Sequence, residues 1–229
     1  VSRTPDAWGE AALREPLALL NDHAYLEKKA AANALELLNR WPEPTCPDAW
    51  TSTLAAVAND ETAHLNSVVR LLARRSGRLE RTHRNPYANA LRDLVRKGQG
   101  SEELTDRLLI SALIEARSCE RFVILARCGR DHDRELSRFY HRLGASELGH
   151  YHVFLVLAGH VLPQAQVEAR WRVLLEAEST ILASQPPGPR MHSGFRRGRA
   201  RPGESSRLPR LHESMRQTPP RPRELLYRR

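Results

Sequence analysis

Two apolar stripes in this chain are each interrupted by the same polar pair, Glu-x-x-His. The pairs are Glu61 with His64, and Glu147 with His150. The apolar residues around both pairs follow one another at alternating spacings of three and four positions, as on a helix face that packs into a bundle core. The stripes are Leu54, Val57, Glu61, His64, Val68 and Leu71, and Leu136, Tyr140, Leu143, Glu147, His150, Phe154 and Leu157. Because residues three apart share a helix face, each pair can bind one metal ion.

The motif by itself is weak evidence, because 19 Glu and 10 His in 229 residues produce roughly one match by chance. A third match exists, Glu80 with His83, but it follows Gly77 in an Arg-rich stretch that has no apolar stripe. We therefore exclude the third match from the predicted site.

Two further stripes each carry one inward-facing carboxylate. Glu27 lies on a stripe that runs from Leu20 to Trp41, and Glu115 lies on one that runs from Leu104 to Leu125. A buried carboxylate without a partner is strongly destabilising or is forced into its neutral form. These side chains therefore need partners in the core.

Turn positions predict that all of these polar groups lie at one height. Residue 44, in a Pro-rich segment, is halfway between Glu27 and Glu61, and residue 131, in "GRDHD", is halfway between Glu115 and Glu147. Residues equidistant from the turn of an antiparallel helical hairpin lie level with each other. Two such hairpins joined by a long connection are typical of ferritin-like proteins.

The predicted fold is thus all-α, a ferritin-like four-helix bundle with an additional C-terminal helix. The long connection spans residues 76–101, and the additional helix follows Pro163. Asp48 is the predicted N-cap of the second bundle helix, and Ser101 is the predicted start of the third.

The bundle would bring four carboxylates and two imidazoles together, a combination typical of di-iron and di-manganese carboxylate proteins. The predicted ligands are Glu27, Glu61, His64, Glu115, Glu147 and His150. By the usual geometry, Glu61 and Glu147 bridge two Fe ions, Glu27 and Glu115 are terminal ligands, and each ion takes one histidine. Asp60 is either an orienting partner of a ligand histidine or a solvated side chain. A bundle with buried ion pairs and no metal is disfavoured, since no Lys or Arg lies at matching height on these stripes.

The net charge of +9 is unevenly distributed. Residues 190–229 hold 12 Arg and 3 Glu, so the rest of the chain is neutral. We predict a ferritin-like domain over residues 1–185 and a disordered Arg- and Pro-rich tail over 186–229. A second basic cluster is predicted to contact RNA phosphates, with a solvated helix end and loop as the alternative. It consists of Arg70, Arg74, Arg75, Arg78, Arg81 and Arg84.

The chain has no long apolar run and no N-terminal signal, so we expect no membrane association and a cytoplasmic location. Its three cysteines include no C-x-x-C pair, which argues against a disulfide framework or a zinc ribbon. The oligomeric state stays open between monomer and dimer.

Four segments resemble the tRNA-(2-methylthio-N6-isopentenyladenosine) hydroxylase family, MiaE. They are residues 22–38, 60–72, 114–122 and 139–151, and "RMHSGF" (190–195) resembles the segment that closes the family's domain. The resemblance implies a non-haem di-iron monooxygenase that uses O2 as co-substrate and electrons from an external donor, a reductase or ferredoxin. Its partner would be tRNA, in which it would hydroxylate the isopentenyl group of the modified adenosine beside the anticodon.

Two other classes remain open at this point. One is a di-iron ferroxidase or peroxidase, and the other is a ferritin-like oxygenase that acts on another substrate. A rubrerythrin-type peroxidase is disfavoured, since such proteins normally carry a C-x-x-C electron-transfer module.

Overall fold

The computed structural model of the chain describes residues 3–195, and within that range it is helical with no β-strand. The helices are α1 (Asp6–Leu13), α2 (Pro16–Leu38), α3 (Trp50–Arg74), α4 (Pro86–Arg92), α5 (Ser101–Cys128), α6 (Arg134–Val161) and α7 (Gln164–Ser184). The predicted all-α class is confirmed, as are the helix start at Ser101 and the additional helix after Pro163.

The bundle consists of two antiparallel hairpins. Helix α2 packs along α3, and α5 packs along α6, while α3 contacts α6 across the bundle. The crossover from α3 to α5 contains the short helix α4, which the sequence did not indicate. Helices α1, α4 and α7 surround α5, so that nearly its whole circumference is buried.

The core is divided into two apolar clusters by a polar layer at mid-bundle. One cluster contains Trp50, Leu54, Leu108, Phe154 and Trp171. The other contains Trp8, Leu20, Leu71, Phe122 and Tyr140. Because both clusters draw residues from all four bundle helices, they fix the heights of those helices relative to one another.

The start of α3 differs from the prediction. Ala49, with a φ of 64°, takes the N-cap position instead of Asp48, and the helix begins at Trp50. The Trp50 side chain is fully buried and its Nε1 donates to the carbonyl oxygen of Leu37, 3.2 Å away. The contact between Trp50 and the end of α2 accounts for the later N-cap, because it fixes the residue at which the α2–α3 turn ends and α3 begins.

The packed part of the chain extends past the boundary predicted at residue 185. Residues Met191, His192 and Ser193 are buried, and the Arg121 guanidinium donates to the carbonyl oxygens of Met191 and Ser193 at 2.5 and 2.7 Å. The segment "RMHSGF" therefore closes onto the bundle. The rest of the predicted tail, 196–229, lies outside the described residues.

None of the described helices combines the length and apolar composition that a membrane span requires.

Candidate metal centre

Each of the four bundle helices contributes one buried glutamate to the polar layer. Glu27 comes from α2, Glu61 from α3, Glu115 from α5 and Glu147 from α6, and none is more than 5% exposed. Their helices place them between the two apolar clusters, where bulk water cannot solvate them.

The structure brings all six residues predicted as ligands into one cluster with two overlapping halves. Glu27, Glu61, His64 and Glu147 form one half, and Glu61, Glu115, Glu147 and His150 form the other. Within each half, one potential ligand atom per residue lies within 4.8 Å of the others. Glu61 and Glu147 belong to both halves, which is the arrangement of carboxylates shared between two cations.

Atoms at the centre of the cluster lack hydrogen bonds. Glu61 Oε1, His64 Nδ1, Glu147 Oε1 and His150 Nδ1 are buried and have no hydrogen-bond partner among the described residues. His150 Nδ1 nevertheless lies 2.6 Å from Glu61 Oε1, and His64 Nδ1 lies 3.3 Å from Glu147 Oε1. Buried polar atoms are normally satisfied. Buried nitrogen and oxygen atoms that lie this close together without hydrogen-bond geometry fit a pair of bound metal ions.

The pKa values of the clustered side chains show the same demand for positive charge. Burial raises the pKa of Glu115 well above its usual range, and the nearby Glu147 and Glu61 carboxylates raise it further. Burial opposes protonation of His64, but Glu147, Glu27 and Glu61 outweigh it and raise the pKa of His64 to about 12. Two divalent cations bound by these side chains would meet this demand.

Two side chains outside the cluster orient its members. His23 Nε2 bonds to Glu27 Oε1, one helical turn away, and the His23 ring stacks on Tyr140 with centroids 5.5 Å apart. Asp60 Oδ2 lies 3.5 Å from His150 Nε2, opposite the ring nitrogen that faces Glu61. The sequence analysis suggested the orienting role of Asp60 but missed that of His23. The spacing of four residues between His23 and Glu27 in α2 could have indicated it.

Two cavities reach the centre from different sides of the bundle. The Glu115 cavity, between α2, α4 and α5, has a volume of about 240 Å³ and includes Glu115 in its wall. The His150 cavity, between α3 and α6, has a volume of about 580 Å³ and includes Asp60 and His150.

Residues 1–193 match the sequence model of a protein family described as tRNA-(MS[2]IO[6]A)-hydroxylase (MiaE). The chain belongs to the MiaE family. Two proteins, both named tRNA 2-(methylsulfanyl)-N(6)-isopentenyladenosine(37) hydroxylase, are similar to it. The Pseudomonas putida protein is 39% identical over 193 residues, which cover 84% of this chain and 90% of that protein. The Salmonella typhimurium protein is 29% identical, with 83% of this chain and 86% of that protein covered.

A solved structure shares the fold of this MiaE family chain. It is described as protein 43 with aldehyde deformylating oxygenase activity from Synechococcus. The TM-score is 0.77 at 32% identity, and the match covers 85% of this chain and 95% of that one. The likeness to a ferritin-like oxygenase confirms the predicted fold.

The arginines predicted to contact RNA are only partly available in this MiaE family chain. Arg74 Nη2 lies 3.0 Å from Glu135 Oε1, and Arg75 Nη2 lies 2.8 Å from Asp133 Oδ1. These pairs tie the end of α3 to the start of α6. The other four arginines of the cluster, Arg70, Arg78, Arg81 and Arg84, are exposed.

The excluded third motif lies outside the cluster of carboxylates and histidines. His83 Nε2 bonds to Asp22 Oδ1 at 2.8 Å, and its Nδ1 accepts from Lys29 Nζ at 2.9 Å. This histidine therefore fastens the crossover to α2.

Proposed function

We propose that this chain hydroxylates the isopentenyl side chain of 2-methylthio-N6-isopentenyladenosine beside the anticodon of tRNA. Membership of the MiaE family and the names of its two relatives support this activity. The observation that carries the proposal is the shared position of Glu61 and Glu147 in a MiaE family chain, since it fits two metal ions in one oxygenase site.

The six clustered residues would hold two Fe ions. Glu61 and Glu147, which belong to both halves of the cluster, would be shared between the ions, and each ion would also be held by one further glutamate and one histidine: Glu27 with His64, and Glu115 with His150. Bound iron supplies reductive activation of O2, so that one oxygen atom enters a C–H bond of the substrate and the other leaves as water.

The protein's own residues hold and shield this site. The apolar clusters on both sides exclude bulk water, which would otherwise quench reactive oxygen species. His23 and Asp60 restrain Glu27 and His150 in the orientations that point their free atoms inward.

Electrons must come from a separate partner. The sequence contains no C-x-x-C redox module, and the cluster itself offers no further electron store. A reductase or ferredoxin would therefore supply them, and a tRNA substrate supports the cytoplasmic location expected from the sequence.

A second candidate is an oxygenase that acts on an aldehyde, because the structural neighbour is described by that activity. The apolar walls of the Glu115 cavity would accept an alkyl chain as readily as an isopentenyl group.

Mass spectrometry of tRNA nucleosides tests the proposal. The host would make the methylthio-isopentenyl nucleoside but lack the means to hydroxylate it. Expression of this chain should add one oxygen to that nucleoside, and Glu115→Ala should abolish the addition. If protein that contains two Fe per chain leaves the nucleoside unchanged, the tRNA assignment is wrong, and a long-chain aldehyde is the next substrate to assay.

A further inference from the structure

The two cavities beside the metal-binding cluster differ sharply in charge. The Glu115 cavity is lined by apolar side chains of α2 and α5, among them Leu26, Ala30, Ile110 and Ile114, and by a few uncharged polar ones such as Asn33 and Ser111. Four basic residues also line it, and the exposure of two of them, Arg92 and Lys97, marks this group as the mouth: Lys29, Arg92, Lys97 and Arg107. The wall of the His150 cavity has no Lys or Arg but contains Asp48 and Asp60. Only the first cavity is suited to a substrate that is apolar at its tip and anionic along its backbone.

Two of the basic residues at the mouth have no counter-charge. Arg92 and Lys97 are exposed, and neither lies within 4.0 Å of a carboxylate in the described part of the chain. Arg107, in contrast, is paired with Glu103 at 2.9 Å and Glu36 at 3.4 Å. An anion at the mouth would therefore meet Arg92 and Lys97 without displacing an existing ion pair.

Lys29 is held at the same mouth by a relay of side chains. The Asp22 carboxylate accepts from His83 Nε2, which leaves His83 Nδ1 to accept from the Lys29 ammonium group. The Tyr25 ring stacks on the His83 ring in nearly parallel planes, with centroids 4.8 Å apart. A lysine fixed in this way offers its remaining donors to a ligand at less cost in side-chain entropy than a free one.

We propose that the Glu115 cavity receives the modified adenine, and that Lys29, Arg92 and Lys97 bind the phosphates on either side of that nucleotide in the anticodon loop. This inference rests on the proposed function and specifies its substrate site. A loop nucleotide can be splayed out of its stack, so its isopentenyl tip can enter the apolar cavity toward Glu115 while its backbone stays at the basic mouth.

The arrangement also assigns a task to the crossover between the two hairpins. Arg92 belongs to α4, Lys97 follows it, and His83 precedes it. The crossover thus supplies Arg92 and Lys97 of the mouth and holds Lys29 there through His83, whereas α2 and α5 supply Glu115 and most of the apolar wall.

Charge reversal tests the phosphate contacts in the full-length protein. The variant Arg92→Glu/Lys97→Glu is compared with Arg130→Glu/Arg138→Glu, which reverses two exposed arginines near the turn between α5 and α6, outside both cavities. Binding of an anticodon stem-loop that carries the methylthio-isopentenyl nucleoside is measured by fluorescence anisotropy over a range of salt concentrations. Every variant keeps residues 196–229, so a contribution from that segment is common to all.

The mouth variant should bind at least ~10-fold more weakly at low salt, and its log–log salt slope should be shallower by roughly 1.5, as expected for two lost phosphate contacts. The control variant should bind as the wild type does. Unchanged binding by the mouth variant, or the larger loss in the control, overturns the assignment.

Filling each cavity tests where the base goes. Ala30→Trp blocks the Glu115 cavity and Ala56→Trp blocks the His150 cavity with the same added volume. With iron content and melting temperature measured for both, Ala30→Trp should lower turnover on tRNA at least ~10-fold and Ala56→Trp should retain it.

The outcomes separate the two proposals. Suppose that the wild type hydroxylates tRNA, and that Ala56→Trp loses this turnover while Ala30→Trp keeps it. The hydroxylase activity then stands, but the Glu115 cavity is refuted as its substrate site. No oxygen added to tRNA by iron-loaded wild type refutes the proposed function and with it the substrate site that rests on that function.

Discussion

Arg117 and Glu178 form a two-pronged ion pair that is completely buried. The guanidinium Nε and Nη2 atoms each lie 2.9 Å from one oxygen of the Glu178 carboxylate. Glu178 also accepts from the Tyr87 hydroxyl at 2.9 Å, and Arg117 Nη1 bonds to Glu120. The pair thereby joins α5 to α7 and to the crossover helix α4.

Removal of one partner from this pair should strongly destabilise the fold. Arg117→Met leaves the Glu178 and Glu120 carboxylates buried without their cation, which costs about 3–5 kcal/mol of unfolding free energy. Urea unfolding followed by circular dichroism measures the loss. Arg138→Met, at an exposed site, is the matched control and should change stability by less than about 0.5 kcal/mol. Equal effects of the two substitutions would show that the buried pair is not a major source of stability.

The segment at residues 190–195, which closes onto the bundle, should not tolerate a side chain at Gly194. A Cβ there would lie 1.9 Å from the carbonyl oxygen of Gln185, so the backbone would have to move. We expect Gly194→Ala to lower the unfolding free energy by about 1–3 kcal/mol, seen as a lower melting temperature in calorimetry. Gly188→Ala is the control, because a Cβ at that position meets nothing within 4 Å. A melting temperature unchanged by both substitutions would mean that the segment is not held as described.

Asp106 should contribute to stability only above its ordinary pKa. Burial opposes ionisation, but hydrogen bonds from Arg96 and Arg170 lower the pKa of Asp106 below its ordinary 3.8. Because the folded-state pKa is the lower one, the stabilisation is fully present well above pH 3.8. It is lost as the pH falls below that value and through the folded-state pKa.

The substitution Asp106→Asn should cost about 1.5–3 kcal/mol at neutral pH. The difference from wild type should shrink as the pH falls below 3.8. Urea unfolding at a series of pH values measures this difference, and Asp131→Asn, at an exposed position, serves as the control. A difference that stays constant into the acid range would contradict the assigned pKa shift.

Iron content should distinguish a shared carboxylate from an orienting one. Glu61 belongs to both halves of the cluster, so Glu61→Ala should lose both metal ions. Asp60→Ala removes only a side chain 3.5 Å from His150 and should keep two Fe per chain, bound more weakly. Elemental analysis of protein reconstituted under anaerobic conditions measures both. Two ions retained by Glu61→Ala would rule out the bridging role.

The four bundle helices, and the height at which their polar residues meet, follow from local patterns in the sequence. Helical periodicity assigns Glu61 and His64 to a core-facing stripe, and the position of each turn sets which residues are level across a hairpin. These are local properties, because a hairpin's register depends only on the residues between its two helices. The six clustered side chains could therefore be chosen without tertiary information.

The surroundings of that cluster depend instead on contacts between segments that are distant in the chain. Arg117 and Arg121 lie on α5, where an isolated sequence makes them solvent-facing residues, but partners from α7 and from residues 191–193 bury them. The pairing of Lys29 with His83, and the charge at the mouth of the Glu115 cavity, likewise depend on how the crossover folds back onto α2. A side chain's burial and charge environment are set by residues distant in the chain, so the local pattern that reveals a helix does not reveal what packs against it.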